Sequence, residues 1–359
     1  MTPTVDFDRF KRALVIKLRH HGDVLLASPV FSVLKARAPS MEIDALVYDD
    51  TEEMLTLHPA IHSIHVVGRK WRQLSPFGRA AAEWELFRRL RAARYDLLVH
   101  LTDHPRGAWL ARTLGARTSV APRREGRWWR SSFTHLHPTV GGGRRHTVET
   151  HLDALRRIGL HPLPEARRLV LHPGVAAYAV VDALLAQHNL SAQPFIHLHP
   201  ASRWRFKCWS EEGTAELIDR LHGDGHRVVV TAAPTDAERQ LVERVIARCA
   251  RAPVNLAGAL SLKQLAALTD RARLFIGVDS APMHIAAAMQ TPTVVLFGPS
   301  GEIEWGPWCV PHRVVASSAH PCRPCGLDGC GGGKVSDCLV SIGSAAVYEA
   351  ARGLLRETA

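Results

Sequence analysis

Short runs of β-branched residues and leucine alternate with amphipathic stretches along the first half of the chain, the pattern of a parallel sheet wrapped by helices. Strands are predicted at Ala13–Leu18, Ile43–Tyr48, Ile61–Val67, Tyr95–Leu101 and Thr118–Ala121, and helices at Val24–Arg37, Arg79–Arg94 and about Thr147–Ile158. From Gly159 to Gln193 proline and histidine become frequent and the period weakens, which predicts a linker. The alternation then restarts. Strands are expected at Phe195–His199, Arg227–Thr231, Val254–Leu256, Leu274–Val278 and Thr293–Phe297, separated and followed by helices at Thr214–Leu221, Asp236–Cys249, Leu262–Thr269, Ala281–Met289 and Ser344–Arg356. The expected fold class is α/β: two doubly wound, Rossmann-like domains, 1–165 and 194–359, with a linker at 166–193. Folds of this kind hold ligands at the carboxyl ends of their strands, here expected to face a central cleft, so loops that follow strands carry the most information.

Composition narrows the class. A length of 359 residues suits two domains, and 46% hydrophobic with 22% charged residues excludes a disordered chain. No window of about 18 apolar residues marks a membrane span, and the start, MTPTVDFDRFKR, has no apolar core of a signal peptide. Seven cysteines, four of them between 322 and 338, make a poor disulfide framework and fit a reducing cytoplasm. The net charge of +11 is unevenly spread, because residues 1–160 hold 26 of the 45 Lys+Arg but only 16 of the 34 Asp+Glu. A basic N-terminal half suits a phosphorylated substrate, an acidic membrane surface or a nucleic acid, or it is simply a set of solvated arginines.

Four post-strand loops could carry chemistry. The first, Arg19-His20-His21-Gly22-Asp23-Val24, turns sharply at glycine and sets Asp23 at a helix start, as a base or merely as an acid favoured by the helix dipole. The second, His199 to Trp209, offers Ser202, Arg203, Arg205 and Lys207 together with Trp204 and Trp209; it suits a diphosphate, or is a set of surface cations beside a core ring. The third, Asp279-Ser280-Ala281-Pro282-Met283-His284, opens a small-residue helix whose N-terminus is a natural phosphate seat, or caps a structural helix. The fourth, Thr231 to Asp236, could put Asp236 on a ribose hydroxyl or use it as an N-cap.

Together these segments resemble glycosyltransferase family 9, the ADP-heptose:lipopolysaccharide heptosyltransferases, over most of the chain. The most diagnostic piece is Asp279-Ser280-Ala281-Pro282-Met283-His284, supported by Phe206-Lys207-Cys208-Trp209 and by Gly22-Asp23-Val24. With the Cys322–Cys338 segment, the chain is most similar to the heptosyltransferase III branch. The resemblance implies the GT-B fold and inverting transfer of L-glycero-D-manno-heptose from ADP-heptose to a heptose of the lipopolysaccharide inner core, without a cofactor or an obligatory metal. It places the catalytic base on Asp23, a catalytic, phosphate-contacting lysine on Lys207, and donor contacts on Ser202, Asp279, Ser280, Ala281, Met283 and His284; Thr231 and Asp236 join the donor candidates from the fourth loop alone. One departure matters: many relatives have Gly-Leu where this chain has Ala281-Pro282, so the N–H that residue 282 would offer a diphosphate is missing.

The implied acceptor is a phosphorylated, Kdo-bearing lipid A core, met by a cytoplasmic enzyme peripheral to the inner membrane. Acceptor contacts are expected from the basic half, at Arg19, Arg69, Lys70, Arg72, Arg123 and Arg124. Arg127 and Arg130 interleave with Trp128 and Trp129 nearby, but no groove-reading or stacking module accompanies them, so nucleic acid is not an expected partner. Cys322, Cys325, Cys330 and Cys338 have the ligand number of a zinc site but loose spacing, which favours a reduced structural loop. Gly331-Gly332-Gly333-Lys334 has only a superficial likeness to a P-loop, since Asp328 stands at the first glycine position and Ser336 is one place late. Two other readings compete: a different GT-B nucleotide-sugar enzyme, and a non-catalytic polyanion-binding protein.

Overall fold

A computed structural model describes residues 5–139 and 144–358. The chain forms two compact units, Met1–Leu171 and His172–Ala359. Unit 1 holds a six-stranded sheet of β1 (Arg12–Ile16), β2 (Glu42–Tyr48), β3 (Ser63–Val67), β4 (Leu97–His100), β5 (Thr118–Pro122) and β6 (His135–His137), in the order β3-β2-β1-β4-β5-β6. Unit 2 repeats the plan with β7 (Phe195–His199), β8 (Arg227–Val230), β9 (Val254–Asn255), β10 (Leu274–Val278), β11 (Thr293–Phe297) and β12 (His312–Ala316), in the order β12-β11-β10-β7-β8-β9. Every strand pair in both sheets is parallel.

Parallel strands are covered on both faces, so the central ones carry continuous apolar runs. In β1 Ala13, Leu14, Val15 and Ile16 are all fully buried, and in β10 so are Leu274, Phe275 and Ile276. One core of unit 1 joins Leu14, Ile16 and Leu98 to Leu86 and Leu90 of the helix Pro76–Ala92. One core of unit 2 joins Ile196, Leu198, Val230 and Ile276 to Val347, Ala351 and Leu354 of the C-terminal helix Ser344–Glu357. Burying such side chains contributes roughly 1.5–3 kcal/mol each.

Three expectations need correction. The helix expected at Val24–Arg37 is two helices, His21–Leu25 and Ser28–Arg37. Pro29 has no N–H to give the carbonyl of residue 25, so the helical ladder stops there. The segment 166–193 is not wholly linker, because it contains the helix Val175–Gln187, which buries Ala177, Val181 and Leu185 in a core with Phe195 and Leu268 of unit 2. Its period is hidden because nearly all of its residues are apolar. Strands β6 and β12 lie outside the expected set: the first has three residues, and the second is an edge strand whose side chains are exposed or half-buried.

Candidate functional site

In unit 1, β1 ends at Ile16 and the chain continues through Lys17 into the helix His21–Leu25, where Asp23 lies in the first turn. Lys17 is buried, and its Nζ is 3.5 Å from Asp23 Oδ1, 3.4 Å from the Leu101 carbonyl and 2.8 Å from His151 Nε2. His151, also buried, comes from the helix Thr147–Arg157, and its Nδ1 is 3.0 Å from the Leu26 carbonyl. Burial holds the imidazole neutral, well below its usual pKa. Nδ1–H therefore donates to Leu26, and Nε2 accepts from the Lys17 ammonium. Burial also pulls the Lys17 pKa down, opposed chiefly by the Asp23 carboxylate. Neither Lys17 nor His151 is a sequence candidate, because their pairing joins segments far apart in the chain.

The expected acceptor residues come partly together at the carboxyl ends of β1, β4 and β5 and beyond β3. Arg19 Nη2 donates to Asp103 Oδ1 at 3.2 Å, and Arg124 Nη1 donates to the Asp103 carbonyl at 2.7 Å. Arg69 lies over the Tyr48 ring at 4.0 Å and donates to Asp50 Oδ2 at 2.7 Å and to the Arg19 carbonyl at 3.0 Å. Arg69 thus fastens the loop that leads to Asp23. Lys70, Arg72 and Arg123 are exposed at the same ends of the sheet.

In unit 2, the turn Arg205–Lys207 follows β7 and the helix Ala281–Ala288 follows β10, its neighbour in the sheet. Lys207 Nζ is 2.6 Å from Asp279 Oδ2, an ion pair with Asp279 nearly buried. Ser202 is buried and its Oγ accepts from the Trp204 N–H at 3.3 Å. Ser280 is the N-cap of the helix and makes no side-chain capping bond, while Pro282 sits in the first turn, where a missing N–H costs no helical bond. Helix N–H groups and the Lys207 ammonium therefore lie beside neighbouring strands, which suits an anion. Met283 and His284 are buried, and Met283 packs in an apolar cluster with Phe275 and Phe297.

Two donor candidates have other duties. The Thr231 hydroxyl lies 2.7 Å from His197 Nε2 and 2.8 Å from His199 Nδ1, and Thr269 Oγ1 is 3.0 Å from His197 Nδ1. Thr269 donates to the Leu265 carbonyl, so one direction of donation satisfies the set: His199 Nδ1–H to Thr231, Thr231 O–H to His197 Nε2, and His197 Nδ1–H to Thr269. Thr231 is a bridge inside the sheet. Asp236 is exposed and paired with Arg239, and the N-cap of its helix is Thr235. The acid turned inward here is Glu238, whose Oε2 accepts from the Ala233 N–H at 3.0 Å and whose pKa is raised by burial.

Cys322, Cys325 and Cys330 are reduced and exposed, and Cys338 is reduced and buried. Among the described residues no three of His, Cys, Asp or Glu are gathered to hold a metal ion. The segment is fastened instead by Arg323, which donates to the Gly298 and Ser317 carbonyls and pairs with Glu302 at 3.1 Å. Among the described residues no helix is long and apolar enough to cross a membrane.

The family model of glycosyltransferase family 9 (heptosyltransferase) matches residues 83–335. Lipopolysaccharide heptosyltransferase 3 of Escherichia coli is 38% identical over 295 residues, covering 81% of this chain and 84% of that protein. Lipopolysaccharide heptosyltransferase 1 of Pseudomonas aeruginosa is 29% identical over 323 residues, covering 88% and 86%. In structure, a family 9 glycosyl transferase from Veillonella parvula superposes with a TM-score of 0.83 at 23% identity, over 99% of both chains. E. coli ADP-heptose heptosyltransferase II gives 0.75 at 21% identity, over 96% of this chain and 99% of that one. The fold is GT-B, built of two parallel α/β domains.

Proposed function

The chain belongs to glycosyltransferase family 9, the heptosyltransferases of lipopolysaccharide core synthesis, and from that premise we propose an inverting, metal-independent transfer of L-glycero-D-manno-heptose from ADP-heptose to an inner-core heptose. Asp23 is the general base in this reading. It takes the proton of the acceptor hydroxyl as that oxygen attacks the anomeric carbon, while the bond from that carbon to the diphosphate oxygen breaks. The leaving ADP needs charge neutralisation rather than protonation. Lys207 supplies one cation, since its ammonium has donors beyond the one engaged by Asp279, and the helix opening at Ala281 supplies dipole and N–H groups.

The observation that carries the reading is the setting of Asp23. Its side chain is 20% exposed, and one oxygen faces a buried ammonium, which leaves the other for an acceptor hydroxyl. An E. coli heptosyltransferase of the same fold has been solved with ADP, which supports ADP as the leaving group for this chain too. Arg19, Lys70, Arg72, Arg123 and Arg124 suit a phosphorylated, Kdo-bearing lipid A core as acceptor, reached by an enzyme peripheral to the cytoplasmic face of the inner membrane.

The test is ADP release by the purified protein from ADP-heptose and a heptose-bearing core oligosaccharide, with UDP- and GDP-sugars as donor controls. Asp23→Ala is expected to lose turnover by about 10²-fold or more while binding ADP as the wild type does. Normal turnover by that variant removes Asp23 as base. Absence of ADP release by the wild type removes the reaction.

A further inference from the structure

We propose that unit 1 docks on an anionic phospholipid surface through the turn at 70–79 and the outward face of the helix Pro76–Ala92, an inference that rests on the acceptor being lipid-borne. Phe77 is 89% exposed, Trp84 64% and Leu74 46%. These are large apolar side chains held in water. The helix turns Leu86 and Leu90 into the core, so Phe77 and Trp84, two turns apart, fall on one outward stripe. Trp84 continues through Phe87, ring centroids 5.7 Å apart, to the 43% exposed Trp109, 5.0 Å further on.

Charge identifies the occupant. Lys70, Arg72 and Arg79 flank Leu74 and Phe77 along the chain, all three exposed and, among the described residues, outside every ion pair. The acids of this helix are engaged: Glu83 with Arg106, and Glu85 with Arg88 at 2.7 Å. Apolar side chains between unpaired cations suit an interface where headgroup phosphates lie just above acyl chains. A protein interface would have to bring its own acids. The turn is also fastened to the Asp23 loop, because Arg69 at its start donates to the Arg19 carbonyl at 3.0 Å. A lipid-borne acceptor would then emerge from the docked surface beside the candidate base.

The experiment is co-sedimentation of the full chain with phosphatidylcholine vesicles, with and without phosphatidylglycerol. The wild type is expected to bind the anionic vesicles, to leave them at high salt, and to ignore the neutral ones. Leu74→Ser combined with Phe77→Ser, and separately Trp84→Ser, should weaken binding about tenfold or more, the scale of one buried apolar side chain. Both variants should melt as the wild type does and keep full ADP release with a soluble, deacylated acceptor. Equal binding to neutral vesicles, no binding to anionic ones, or binding unchanged by both variants overturns the proposal. So does a dimer that these variants convert to monomer, which would make a second copy the occupant. Failure of the heptosyl-transfer reading is distinguishable, since it shows as no ADP release by the wild type, whatever the vesicles report.

Discussion

Lys17 Nζ stands 3.5 Å from Asp23 Oδ1, and the same ammonium is held 2.8 Å from the neutral imidazole of His151. The three groups come from the end of a strand, the first turn of a helix and a helix more than a hundred residues later. His151 is fixed in one tautomer by the Leu26 carbonyl, so it can only accept from Lys17. Lys17 in turn fixes one oxygen of Asp23.

Replacing Lys17 by Met should therefore reduce kcat by about 10²-fold, the scale of one lost preorganised donor, with ADP affinity unchanged. His151→Gln, which keeps an acceptor for the ammonium, should cost much less. Single-turnover rates and calorimetric ADP titration check this; a Lys17→Met protein with normal kcat would show that Asp23 needs no such support.

Removing Lys207 leaves Asp279, 6% exposed in its side chain, as an uncompensated acid. Lys207→Ala should lower both ADP affinity and the melting temperature, with a stability loss of about 1–3 kcal/mol. The double variant Lys207→Ala with Asp279→Asn should recover much of the stability but not the ADP affinity. Recovery of both would confine Lys207 to a structural role.

Thr231→Val keeps shape and removes the hydroxyl shared by His197 and His199. It should destabilise the protein by about 2 kcal/mol or more, since it leaves two buried ring nitrogens unpaired. Denaturant unfolding measures this, and ADP titration should show no change. A large loss of ADP affinity without a stability loss would return Thr231 to the donor site.

Buried histidines should make the fold acid-sensitive. Burial pushes His199 down to about 4 and His100 down to about 3, with His151 and His197 well below the usual value. Between these values and the unfolded pKa of about 6.5, the unfolded chain binds more protons, so stability is present above that value and is lost as pH falls. Each such group contributes up to about 1.4 kcal/mol per pH unit through that window. Urea unfolding at pH 7.5, 6 and 5 should show decreasing midpoints; equal midpoints would mean that the imidazoles ionise inside the fold.

The alternation of apolar runs announces the two sheets, and the placing of Asp23, Lys207 and Asp279 in post-strand loops is legible for the same reason. Lys17 and His151 are not, because their value lies in a contact between distant segments, and a lysine ending an apolar run looks like any strand terminus. Asp236 and Glu238 show the limit within one turn of helix. Both are acids near an N-terminus, and only packing decides that the first faces solvent while the second turns inward. The division of Val24–Arg37 at Pro29 follows from proline chemistry, which hydrophobic periodicity does not register.

The all-parallel sheets also constrain how the protein comes into being. The central seam of unit 1 pairs Ala13 with Leu97, and that of unit 2 pairs Ile196 with Leu274. Neither seam can close until the crossover segments between its strands have been synthesised, so loop-closure entropy opposes pairing before the sheet contacts form. On the ribosome, β1 must wait with one backbone edge unpaired while about eighty further residues emerge, which makes the nascent N-terminal half the stage at which this chain is most exposed to aggregation.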